Sequence, residues 1–231
     1  MSFFLNSEDG YYSLAAGGVA AMVLIIVSLV LLTAFLRRRE STENSGRRKG
    51  FSARQLTFSA AAVALGFAFS YVRLIPMPWG GSVTLCSMLF VTLIGFWYGP
   101  RVGLAAGFAY GFLQFMQDGG SYILSPLQAC LDYILAFAAL GLSGFFCKKP
   151  GGLIKGYVFA IAVRGLFHTI GGYLYWMDYM PETFPSSLAA IYPIAYNYSF
   201  IAAEGIVTVL ILMLPPVKKA MARVENMALQ S

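Results

Sequence analysis

The chain is 231 residues long, 58% hydrophobic and only 11% charged, with a formal net charge of +6. Its apolar runs are too long and too poor in charge for one or two soluble domains. The basic residues sit in short segments between those runs and form no continuous basic face, so nucleic-acid binding is excluded as their purpose.

A membrane helix needs about 20 largely apolar residues. Stretches of that kind, some short or broken, are predicted at 14–36, 55–74, 82–98, 102–117, 122–146, 156–177 and 188–214. The 24 glycines suit close helix packing in lipid. The first run, 14–36, ends at Arg37-Arg38-Arg39 and has no basic residue before it. That is the pattern of an uncleaved anchor with its N-terminus outside, not of a secretory signal. Residues 37–53 read as a polar cytoplasmic linker, 54–220 as the compact bundle and 221–231 as a cytoplasmic tail. Cytoplasmic loops retain Lys and Arg. With 37–53 placed inside, all of the 16 basic residues except Arg73 and Arg164 fall on the inner side, while Glu8, Asp9, Asp118, Asp178 and Glu182 fall outside.

On the first bundle span, Ala60, Ala64 and Ala68 recur every four residues and share a helix face. Such a stripe serves packing within the bundle or docking of another membrane protein. The outer loop 76–82 carries Trp79, the next span pair carries Tyr110, and Tyr122 marks the outer end of the fifth span. Below it Gln128 and Asp132 share a face, with Tyr133 adjacent. Gly141-Leu-Ser-Gly144 matches the GxSG of rhomboid-like intramembrane proteases, but Ser143 and His168 lie at different depths by helix rise, about 7 Å and 20 Å from the cytoplasmic end. Small-residue packing explains that motif better. The three cysteines, Cys86, Cys130 and Cys147, show no CxxC and no metal-ligand spacing, so no disulfide framework or metal site is predicted.

On the sixth span His168, Gly172 and Trp176 line one face, and the seventh adds Tyr192 and Asn197. Asp132, His168 and Asn197 each lie about 14 Å below the outer helix ends. Polar groups in a bilayer are costly and face a cavity or one another. The three therefore predict an outward-opening ligand site walled by aromatics, suited to a small, flat organic cation through cation–π contacts and a carboxylate. Arg164 and Glu204 fall at similar depth below this layer and are expected to pair there.

These residues lie in blocks that resemble the thiamine-specific S-component of energy-coupling-factor transporters over about 53–220. The blocks are Trp79-Gly-Gly-Ser-Val-Thr-Leu85, Tyr110-Gly-Phe-Leu-Gln-Phe115, Tyr122-Ile-Leu-Ser-Pro-Leu-Gln-Ala-Cys-Leu-Asp-Tyr133, His168-Thr-Ile-Gly-Gly-Tyr-Leu-Tyr-Trp176 and Tyr192-Pro-Ile-Ala-Tyr-Asn197. The resemblance implies an all-α six-helix bundle, with the span at 14–36 as an extra helix. It implies thiamine bound by Asp132 and Tyr133, by His168, Trp176, Tyr192 and Asn197, and by aromatic walls at Trp79, Tyr110 and Tyr122. It also implies docking of a transmembrane coupling subunit on Ala60, Ala64 and Ala68, with two partner ATPases in the cell membrane. No cofactor is implied. Asp132 stands where some members carry Glu, and Tyr110 where some carry Trp. The chain carries no GxxxxGK[ST], so ATP hydrolysis is assigned to partners and not to this non-enzymatic subunit. A related S-component taking another vitamin or a hydroxymethylpyrimidine precursor is the near alternative, because Asn197 and Asp132 would also suit a neutral pyrimidine.

Overall fold

The computed structural model describes residues 5–8, 11–14, 51–78, 80–118, 124–147 and 149–229. The first span, most of the linker, Trp79 and Tyr122 lie outside the described residues. Near the N-terminus two short strands, β1 (Leu5–Glu8) and β2 (Tyr11–Leu14), pair antiparallel.

The rest is mainly helical. Helix α1 (Ala53–Ser70) starts at a capping box in which Ser52 and Gln55 bond each other's backbone amides. A hairpin of β3 (Arg73–Pro76) and β4 (Ser82–Thr84) follows, then α2 (Ser87–Tyr98) and α3 (Pro100–Gln117). Helix α4 (Pro126–Phe146) is one rod of changing pitch. It is α-helical at Pro126–Ala129, π-helical at Cys130–Leu135, α-helical again at Ala136–Ala138 and 3-10 at Ala139–Phe146. Helix α5 (Gly152–Tyr175), the 3-10 turns Met177–Tyr179 and Ser186–Ile191, α6 (Tyr192–Met213) and α7 (Pro215–Leu229) complete it.

Among the described residues, three helices are long and apolar enough to cross a membrane: Pro126–Phe146, Gly152–Tyr175 and Ser186–Met213. Large apolar side chains on the outside of the bundle, such as Leu65, Phe112, Val158, Ile206 and Leu210, are at least half exposed or nearly so. Exposed apolar side chains of this size, in a bundle with helices long enough to span, fit contact with lipid. The chain is a membrane protein.

Helix α2 is the axis of the bundle. Ten of its residues, from Ser87 to Trp97, are buried, as an all-round apolar helix requires. It packs on α1, α3 and the lower half of α4. The backbones of α2, α3 and α4 meet at glycines: a Cβ on Gly103 would stand 2.6 Å from the Gly95 Cα and 2.7 Å from the Gly141 carbonyl oxygen. Ser143 is fully buried and donates its hydroxyl to the Thr92 carbonyl at 2.7 Å. The GxSG motif is thus packing surface.

Three sequence expectations change. Residues 82–86, read as the start of a span, form β4 and a turn, and 71–74 leave the helix for β3. The hairpin pairs Arg73 with Thr84 and Pro76 with Ser82. Pro76 and Pro78 lack the amide a continuing helix would need. Residues 221–231, read as a tail, are helical as far as Leu229. There Val217, Met221, Val224 and Ala228 pack towards the bundle, and Tyr98 donates to the Ala228 carbonyl at 3.1 Å.

Third, Arg164 and Glu204 make no ion pair. Glu204 instead serves the N-terminus of α2. It accepts from the amides of Thr84 (3.0 Å) and Met88 (3.1 Å) and from the hydroxyls of Thr84 (2.6 Å) and Ser87 (3.2 Å). A helix start carries unpaired amides and a partial positive charge, so a buried carboxylate is at home there. Cys86, which precedes α2 at φ 59°, offers those amides no side-chain cap.

Candidate ligand-binding site

A cavity of about 170 Å³ opens at the end of the bundle where the β3–β4 hairpin, the C-termini of α3 and α5 and the N-termini of α4 and α6 meet. That is the end read from sequence as outer. Of the predicted site residues, Tyr110, Asp132, Tyr133, His168, Trp176, Tyr192 and Asn197 all line it.

Asp132 lies within the π-helical turn of α4. A π turn inserts an extra residue per turn and recurs at functional sites. Here Asp132 and its neighbour Tyr133 both reach the cavity wall. The carboxylate meets three polar side chains. Gln128 Nε2 lies 2.6 Å from Oδ2, Trp176 Nε1 lies 3.4 Å from Oδ2, and His168 Nδ1 lies 3.2 Å from Oδ1. Gln128 is itself buried and accepts from the Leu124 amide, which fixes its orientation. A Cβ on Gly171 would stand 2.7 Å from Asp132 Oδ1, so the carboxylate needs glycine opposite it. No Lys or Arg side chain pairs with Asp132 among the described residues.

Asn197 is one helix away. Its amide nitrogen donates to the carbonyls of Pro193 (2.8 Å) and His168 (3.2 Å). Both N–H groups are committed, which leaves the side-chain oxygen as the group it offers the cavity. The predicted convergence of acid, imidazole and amide is therefore present.

Tyr133 donates to Asp118 at 2.9 Å, and Arg73 approaches the same carboxylate at 3.5 Å, closing one edge of the cavity. Tyr192, Tyr196 and Phe200 form a stepped aromatic wall along α6. Tyr110 also lines the cavity and is fully buried, donating its hydroxyl to the Gly66 carbonyl with its ring edge-on to Phe137. Sequence reasoning missed Phe137, Tyr196 and Phe200. Tyr196 and Phe200 follow Tyr192 at intervals of four, a spacing that was available. Arg164, assigned beneath the site, lines the cavity as well, with its guanidinium 4.3 Å over the Phe137 ring.

The arrangement suits a planar cation: a carboxylate oriented by side-chain hydrogen bonds, in a chamber to which Tyr133, Phe137, Trp176, Tyr192, Tyr196 and Phe200 contribute aromatic faces. The described residues contain no cluster of His, Cys, Asp or Glu that could hold a metal.

Comparison with known proteins gives the same direction. Residues 56–223 match the family described as thiamine transporter protein (Thia_YuaJ). The chain is 32% identical over 169 residues to the thiamine transporter ThiT of Bacillus subtilis, covering 68% of this chain and 84% of that protein. It is 37% identical over 92 residues to ThiT of Lacticaseibacillus paracasei, covering 33% of this chain and 46% of the relative. The solved structure of ThiT from Listeria monocytogenes superposes with a TM-score of 0.55 at 26% identity, over 70% of this chain and 94% of that one.

Proposed function

The chain belongs to the thiamine transporter protein family, and on that premise we propose that it is the thiamine-binding membrane subunit, or S-component, of an energy-coupling-factor importer. It is a transporter subunit and not an enzyme. The observation that carries the ligand is the Asp132 carboxylate, held by Gln128, His168 and Trp176 with no Lys or Arg paired to it among the described residues. A thiazolium ring supplies the missing positive charge. The flat rings of the vitamin suit Trp176, Tyr192 and the His168 imidazole, and Asn197 offers its oxygen to an exocyclic amine. Tyr133 and Tyr110 hold the walls; Trp79 and Tyr122, expected from the resemblance to contact the ligand, lie outside the described residues.

In this reading α1 to α6 are the six bundle helices and 14–36 is an additional N-terminal span. The protein sits in the cell membrane with the cavity and N-terminus outside and the C-terminus inside. Ala60, Ala64 and Ala68 dock the transmembrane coupling subunit. Their exposure supports this, because the packed face of α1 is made by Ala62, Gly66 and Ser70. Two ATPase subunits complete the assembly and drive release of thiamine inside.

Titration of the purified protein with thiamine tests the ligand. Of the 3 tryptophans, Trp176 lies at the site and Trp97 is buried in the core cluster. Saturable quenching is expected, and Trp176→Phe removes much of it. Tighter binding of hydroxymethylpyrimidine than of thiamine would overturn the assignment.

A further inference from the structure

The thiamine reading leaves one charged side chain of the cavity without a task. Arg164 is 8% exposed, sits on α5 one turn below His168, and points its Nε at His168 Nε2 across 3.3 Å. We propose that Arg164 is a positioning residue: it fixes His168 in the neutral Nδ1–H tautomer, so that the imidazole donates to Asp132 and leaves that carboxylate ionised for the ligand's cation. The inference rests on the ligand reading only in its last clause.

Counting protons leaves one arrangement. A guanidinium has donors and no acceptor, so His168 Nε2 must present its lone pair to Arg164. The remaining imidazole proton then belongs to Nδ1, which lies 3.2 Å from Asp132 Oδ1. The other tautomer fails at both ends. It would set two N–H groups against each other across 3.3 Å and turn a bare nitrogen towards a carboxylate. The imidazolium keeps the first of those clashes. Arg164 is held for this task by the Phe137 ring, 4.3 Å beneath its guanidinium carbon. The bond to His168 is the hydrogen bond it makes among the described residues. The result is a directed chain, Arg164 to His168 to Asp132, in which the positive charge stands one ring away from the carboxylate instead of cancelling it.

The chain has 1 histidine, so nitrogen-15 labelling of histidine reports His168 alone. In the ligand-free, full-length protein in nanodiscs, NMR is expected to show Nδ1 protonated and Nε2 bare. Arg164→Met, which keeps the bulk and removes the donor, is expected to populate the Nε2–H form and to weaken thiamine roughly tenfold. Arg164→Lys, which restores a donor, is expected to return the Nδ1–H form. A wild-type spectrum with Nε2 protonated overturns the proposal, as does an Arg164→Met variant that keeps the wild-type tautomer. The spectrum is read without ligand, so failure of thiamine to bind the wild type would remove the ligand reading and leave the tautomer assignment standing.

Discussion

In the proposed binding mode, ligand choice turns on Asp132. Its partners are Gln128, Trp176 and His168, with no Lys or Arg among them, so in the proposed mode its charge is met by the ligand. Asp132→Asn keeps the shape and removes the charge. Thiamine binding is then expected to weaken by about 10- to 100-fold, the range of one charge-assisted contact, while an uncharged pyrimidine fragment loses far less. Isothermal titration of both ligands measures this, and equal losses would mean that the carboxylate does not sense the cation. Asp132, His168 and Asn197 were legible in the sequence because polar groups are rare in apolar spans and must be accounted for there. Phe137, Tyr196 and Phe200 were not, since an aromatic in a membrane helix is commonplace and its direction depends on the rotation of the helix. The same ignorance of rotation produced the Arg164–Glu204 pair. Counting rise along each helix found equal heights and could not show that the two side chains serve different neighbours.

At the scale of elements, Glu204 shows how a helix end is built from a distant segment. Its two oxygens gather four donors from β4 and the start of α2. The role was hidden because residues 82–86 are apolar enough to read as helix, which moved the start of α2 away from the carboxylate. Glu204→Gln leaves one acceptor oxygen where there were two and sets an amide N–H against backbone donors. A loss of about 2–3 kcal/mol is expected from contacts of this buried, charge-assisted kind. Thermal unfolding in detergent checks it, and an unchanged melting temperature would remove the capping role. The π turn of α4 was likewise not legible, because its residues Cys130–Leu135 carry no marker that separates them from an α-helix. The glycine contacts were legible in kind. GxSG was read as packing, and Gly141 and Ser143 pack against α3 and α2.

At the scale of the whole molecule, the packed face of α1 and the proposed docking strip lie on opposite sides of the helix. The buried side, Ala62, Gly66 and Ser70, joins the bundle, and Ser70 reaches the cavity rim. The exposed side presents Ala60, Ala64 and Ala68, a strip without bulk on an otherwise apolar exterior. Small residues allow another helix backbone to approach closely, and none of these three lines the cavity. A bulky residue on the strip should therefore separate the two activities. Ala64→Trp is expected to leave thiamine quenching within about twofold of wild type and to reduce uptake by roughly tenfold or more in cells supplying the coupling subunit and ATPases, as loss of a central interface contact does. Ile206→Trp, at an exposed position on α6, controls for bulk in the lipid-facing surface and should spare both. If Ala64→Trp transports like wild type, the coupling subunit docks elsewhere. If it loses binding as well, that face of α1 supports the bundle and the division of labour between the two sides fails.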